Sequence, residues 1–406
     1  MRVLHVNSQR GWRGGECQAD LLMRGLAAAA DDVAAVGRPN TPWVTRCRAA
    51  GFETFENNLR SNPVTLFRLV GLLRAWRPQI VHCHDAGSIF SASLAARFCP
   101  RRERPRIVAA RRVDFPIRSR FKYTRLTDHI IAVSRAVEAV LLHQGLPAEQ
   151  ISVVHDGIDP ARFAALPDRL AARQTLALPR LAPLTPVGLC AAALTDHKDH
   201  ATLLHAWRAV VAVRPDAQLL LAGQGEEEPR LRALVAELDL AEQVQFLGWR
   251  DDIPRLMAAA DVALLTSHHE GLGSTLMDAQ FCGLPVVATR AGGIPEIVAD
   301  QETGLLAAPK APHEIASATL TLFADPALRA RMAHAGRARA QQEFVFQRMV
   351  RETQAVYARL GVAAASHPPH PTHPTHPSHP SPTAASGATL KLDAVQALQA
   401  SPPTRS

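Results

Sequence analysis

Two acids, Glu270 and Asp278, are separated by seven residues in the run Ser267-His-His-Glu270-Gly-Leu-Gly-Ser-Thr-Leu-Met-Asp278. The run leaves a short apolar stretch and enters a helical pattern. Backbone amides of Leu272–Thr275 would then be free at the helix start and would face an anion with the positive end of the helix dipole. Carboxylates flanking such a place can accept hydrogen bonds from sugar and ribose hydroxyls. A capped helix with two surface acids would account for Glu270 and Asp278. It would not account for glycines at 271, 273 and 283. A second group of candidates stands near the ends of two other apolar runs. His82 and His84-Asp85 follow one; a histidine there can orient a hydroxyl or take its proton. Arg111, Arg112 and Asp114 follow the next, and could grip a phosphate or an acidic sugar.

Elements must carry these residues. Arg2–Asn7 reads as a buried strand, and short apolar runs recur at 80–82, 107–110, 130–133 and 151–154. Helical stretches lie between them, such as Pro63–Trp76 with proline in its first turn. Residues 159–186 are Pro-rich and read as a connection without strands. The alternation restarts at 187–192, 219–222, 244–247, 262–266, 285–289 and 305–307. Strand alternating with helix implies a parallel sheet covered on both faces. The expectation is two doubly wound α/β domains facing each other across a cleft, since ligands bind beyond the carboxyl ends of such strands. The domains expected are 1–160, a connection 161–186, a second domain 187–343, a helix 344–362, and a His/Pro-rich disordered tail 363–406. In that tail five histidines recur every third residue from His367 to His379.

The run from 267 to 278 resembles the E-x7-E region of glycosyltransferase family 4, of the GT-B fold. The flanks resemble it too: Val244-Gln-Phe-Leu-Gly248, Ala260-Asp-Val-Ala-Leu-Leu-Thr-Ser267, and Gly283-Leu-Pro-Val-Val through Ile297-Val298. His155-Asp-Gly-Ile-Asp159 is similar to the family's N-G-V-D, and Gly14-Gly15-Glu16 to its N-terminal glycine loop. The resemblance implies a UDP- or GDP-sugar donor held mainly by domain 187–343, an acceptor held mainly by domain 1–160, and transfer with retention of configuration. It implies no cofactor and no obligatory metal. It implies that Glu270 contacts the donor sugar and that Asp278 binds the ribose. The backbone of Gly271, Leu272, Gly273, Ser274 and Thr275 would hold the sugar and β-phosphate, and Gly14 and Gly15 would admit the pyrophosphate. Lys198 matches the family's diphosphate lysine in a chain with four lysines. Catalysis would then rest on Glu270, Lys198 and His84, with Asp85, Arg111, Arg112 and Asp114 on the acceptor side. There are two departures besides: Asp278 is one methylene shorter than the family's glutamate, and Ala193 stands where the family has a second diphosphate cation. Arg112 stands near where many members carry a histidine.

Charge adds a partner. The chain of 406 residues has 45 Lys+Arg against 37 Asp+Glu, a net of +8. Residues 97–125 alone hold eleven basic residues and two acids, a net of +9. That patch is expected to meet an anionic membrane face or a phosphorylated saccharide. The six cysteines form no C-x-x-C pair, which fits a reducing compartment. No apolar run of membrane-spanning length is present and the N-terminal residues lack a signal-peptide pattern, so the expected location is cytoplasmic, peripheral on the inner membrane face. The acceptor expected is a lipid-linked or surface glycan of lipopolysaccharide or exopolysaccharide type, and the class a hexosyltransferase.

Other functions fit less well. A nicotinamide enzyme needs G-x-G-x-x-G, but Gly223-Gln-Gly225 is followed by three glutamates. No P-loop is present. Nucleic-acid binding lacks a recognisable module. A GT-B epimerase, or a degenerate partner protein that binds sugar nucleotide without transferring it, stays open; Ala193 favours the latter.

Overall fold

The computed structural model describes residues 1–59, 62–176 and 178–361. The His/Pro-rich tail expected at 363–406 lies outside the described residues.

Seven strands form the first sheet: β1 (Arg2–Asn7), β2 (Asp32–Gly37), β3 (Glu53–Glu56), β4 (Ile80–Cys83), β5 (Arg106–Arg111), β6 (His129–Ala132) and β7 (Ile151–Val153). All pair in parallel, in the order β3-β2-β1-β4-β5-β6-β7. Six strands form the second: β8 (Val187–Ala191), β9 (Gln218–Ala222), β10 (Val244–Gly248), β11 (Val262–Leu265), β12 (Val286–Thr289) and β13 (Gly304–Ala307). They too are parallel, in the order β10-β9-β8-β11-β12-β13. In both sheets the order reverses beside the first strand, which opens a crevice at the carboxyl ends. The central strands are buried nearly end to end because helices cover both faces.

The fold adds to the sequence expectation in three places. Strands β2 and β3 escape an apolar-run search: β2 is half alanine and glycine, and β3 is an edge strand of sequence Glu-Thr-Phe-Glu. The stretch 159–186 contains the helix Arg169–Leu176. That helix belongs to the second domain, because buried Asp261 receives Arg173 at 2.9 Å, also pairs with Arg169, and accepts the Val187 amide. The last helix, Phe346–Arg359, returns to the first domain, against the helix Gly14–Ala28. Gly25 is required there: a Cβ on it would lie 2.3 Å from Val350 Cγ2. The bridge between Ile158 and Val345 marks where the chain leaves the first domain and comes back.

Candidate active site

The loop at the end of β11 carries the centre. Lys198 Nζ donates to Glu270 Oε2 in a very short ion pair, and Ser267 Oγ donates to the same oxygen at 3.1 Å. Lys198 sits in the turn Asp196–Lys198 after β8. That turn is tied to the end of β11: Thr266 Oγ1 donates to the carbonyls of Lys198 and Asp199, and the His268 amide to His197 O. Thus two segments seventy residues apart place opposite charges together. Both side chains are largely shielded from water. Solvent therefore screens the pair only partly.

The helix Ser274–Cys282 begins beside it. Its N-cap is Gly273 at φ +92°, and no side chain caps the first turn. Uncapped amides of that kind suit an oxyanion. From the other domain, Gly14 opens its helix opposite, and a Cβ there would lie 3.7 Å from Ser274 Oγ. The Glu16 carboxylate folds back onto the Arg13 amide at 2.9 Å and fixes this glycine loop. A Cβ on Gly15 would lie 3.8 Å from Arg112 Cδ. Gly271 lies so close to Arg112 O that a Cβ would stand 2.0 Å from it, so residue 271 admits no side chain.

The two domains grip this loop with polar contacts. Asp114 accepts the Glu270 amide and His269 Nδ1, each at 3.1 Å. Ser134 Oγ donates to Gly271 O at 2.6 Å. Below, Glu296 accepts the amides of Arg135 and Ala136 and pairs with His155 at 2.9 Å. Burial works to raise the Glu296 pKa, but these hydrogen bonds outweigh it and hold it below the usual carboxylate range.

The first-domain candidates form a separate network. Arg112 Nε donates to Asp156 at 3.1 Å, and Nη1 lies 3.3 Å from His84 Nδ1. His84 Nε2 lies 2.9 Å from His5 Nδ1, and His82 Nδ1 lies 2.6 Å from Tyr357 Oη. Burial, helped by the Arg112 charge, lowers His5 to about 3; burial also holds His82 and His84 well below 6.5. These rings are neutral at physiological pH. A guanidinium only donates, so His84 Nδ1 accepts and His84 Nε2 carries the hydrogen that goes to His5. Both nitrogens of His84 are thereby engaged, which leaves it no lone pair for a substrate proton in this arrangement. Asp85 caps the helix Ala86–Arg97, accepting the Gly87 and Ser88 amides and the Ser8 amide at 2.6 Å. Arg111 donates to Phe115 O and to Tyr123 Oη.

Asp278 lies in the helix after the loop, paired with Arg162 at 3.0 Å. Burial raises its pKa against the lowering effect of Arg162. Glu270, Lys198, Gly14, Gly271 and Ser274 are therefore brought together, whereas Asp85 and Arg111 serve local structure. The partners missing from the sequence reading are Ser267, Ser134, Asp156, His5, Tyr357 and Arg162. Ser267 and Asp156 stand within stretches already singled out, but without a role assigned to them; the other four stand in no recognisable motif. The alignment of His5 opposite His82 comes from the pairing of β1 with β4.

Two Rossmann-like halves with this loop between them define the GT-B class of glycosyltransferase fold. Within it, the chain belongs to glycosyltransferase family 4: residues 12–162 match the model described as Glycosyltransferase Family 4, and residues 183–339 that described as Glycosyl transferases group 1. A GDP-mannose-dependent monoacylated alpha-(1-6)-phosphatidylinositol monomannoside mannosyltransferase of Corynebacterium glutamicum is 36% identical over 48% of this chain and 52% of its own length. A lipopolysaccharide core biosynthesis glycosyltransferase of Rhizobium meliloti is 31% identical over 55% and 61%. The chain thus matches little more than half the length of these curated relatives. The crystal structure of Anabaena Alr3699/HepE in complex with UDP and glucose superposes with a TM-score of 0.78 and 21% identity, over 88% of this chain and 99% of that one.

Proposed function

We propose that the chain is a retaining glycosyltransferase that moves a sugar from a UDP- or GDP-sugar to a surface-glycan or lipid-linked acceptor, without an obligatory metal. The observation that carries this reading is the Lys198–Glu270 pair beside an uncapped helix start, with Gly14 opposite Ser274. A diphosphate entering there would draw Lys198 away from Glu270. Glu270 would then face the sugar, where positive charge develops, and Lys198 would meet the negative charge of the leaving group. The helix amides hold the β-phosphate, and Asp278, once released by Arg162, meets the ribose. The relatives' names support a nucleotide-sugar donor: one is GDP-mannose-dependent, and one neighbour was crystallised with UDP and glucose. The lipopolysaccharide enzyme supports a surface-glycan acceptor. The test is to follow the anomeric proton of the product by NMR with UDP- and GDP-sugars. Retained configuration supports the reading; an inverted product contradicts it.

The segment 97–125 supports a peripheral location on the inner membrane face. It carries exposed Phe98 and Phe121 among its arginines. No helix of the described residues is long and apolar enough to cross a membrane. Binding to anionic vesicles should be clear at low salt and released by added salt, because screening weakens exposed charge. Absence of binding at low salt would refute the membrane docking.

A further inference from the structure

His5, His82 and His84 bring ring nitrogens within 4.8 Å of one another, a spacing that suits three metal ligands. The chemistry around them points elsewhere. The Arg112 guanidinium reaches into the cluster and its hydrogen bond to His84 sets the tautomers of both His84 and His5. A fixed positive charge at that distance opposes a cation. The cluster is therefore a brace, and what it braces is Arg112.

The brace holds the guanidinium at two of its three nitrogens. Nε is bound to Asp156 and Nη1 to His84. Nη2 and the second hydrogen of Nη1 have no protein partner among the described residues, and the side chain keeps 17% of its exposure. Its stem passes Gly15 of the glycine loop, and its carbonyl abuts Gly271. The stem and the main chain of Arg112 thus adjoin the two glycine segments that flank the candidate phosphate site. Charge balance calls for such a group. The charge of Lys198 is countered by Glu270, in the loop before the helix start, and residue 193 is alanine.

We propose that Arg112, braced by Asp156 and His84, is the second cation that binds the donor's diphosphate, supplied from the first domain in place of the side chain Ala193 lacks. This rests on the nucleotide-sugar reading above. It also makes closure of the two domains a condition of donor binding, because the two cations come from different domains.

The test is titration calorimetry of UDP, GDP and ADP, and of the matching nucleosides, against the full chain. Arg112→Gln should weaken the diphosphate that wild type prefers by about ten- to a hundredfold, the worth of a charge-assisted hydrogen bond. The nucleoside should bind unchanged. Adding Ala193→Arg should restore part of the loss. Asp156 is buried and would be left unpaired, so Arg112→Gln/Asp156→Asn keeps the measurement possible if the single variant fails to fold. Diphosphate affinity within twofold of wild type in a folded Arg112 variant overturns the proposal and leaves the nucleotide-sugar reading standing. Wild type that binds none of the three nucleotides overturns both.

Discussion

The two sides of the cleft are built by different means. On the second-domain side, one contiguous loop and the helix after it supply glycines, free amides and Glu270, with Lys198 joined from a neighbouring turn. On the first-domain side, side chains from β1, β4 and the residue after it, the segment after β5, the segment after β7 and the last helix meet in two hydrogen-bonded groups joined by stacking of His82 on His5 and His84. A site made from backbone tolerates change in the side chains around it. A site made from interlocked side chains depends on each partner, since a buried polar group left unpaired costs more than its bond contributes.

Glu270→Gln should show the largest effect. It keeps the shape and removes the charge that faces the sugar, so transfer should fall by about 10²–10³-fold. The melting temperature should hold, because the loop's backbone contacts to Asp114 and Ser134 remain. Steady-state assays with calorimetry check both. Tyr357→Phe probes the other side. It removes the partner of buried His82 Nδ1, and about 1–3 kcal/mol of stability should be lost. Nucleotide affinity should barely change. If it fell as far as in a Lys198 variant, the two sides would not be separable as drawn.

Acid should separate the sides further. The folded-state pKa of His5 is lowered to about 3 and that of His200 to about 4, from 6.5. For a histidine kept neutral by folding, the contribution is complete above pH 6.5 and is lost as pH falls from there toward the folded value. His82 and His84 act with the same sign beside His5. The first domain holds three such rings around Arg112, whereas the second holds His200 deeply buried. Hydrogen exchange at pH 5 against pH 7 should therefore show protection lost first in β1 and β4. Equal loss in β8 and β11 would contradict it. The smallest effect belongs to a surface control. Arg290→Ala, which breaks an exposed pair with Asp300, should cost under about 1 kcal/mol and leave activity unchanged.

The same contrast explains what the sequence could tell. The second-domain side was legible because glycines at 271 and 273, an acid at 270 and a helix start are local features, and a local run can be read in order. The parallel strands were legible where they carry a run of apolar residues, as in Val3-Leu4 and Val6 of β1 and Leu219–Ala222 of β9. Strand β3 was not, because an edge strand needs little apolar character. The role of His84 could not be read from His84-Asp85, since its partners His5 and Arg112 come to it only through the pairing of β1, β4 and β5. Likewise nothing near Tyr357 shows that the last helix crosses back to cover β4. Asp156 lies in the stretch similar to N-G-V-D, but nothing in that stretch shows that Arg112 is its partner.

The most direct measurement is a thermal-shift screen of the full chain and of Lys198→Ala against UDP, GDP, ADP and their common sugars. Binding to the native state alone raises the melting temperature by mass action. A shift with one nucleotide family, lost in Lys198→Ala, is the expected result. No shift with any nucleotide, or a shift that Lys198→Ala retains in full, would contradict the assignment of the Lys198–Glu270 centre as the donor site.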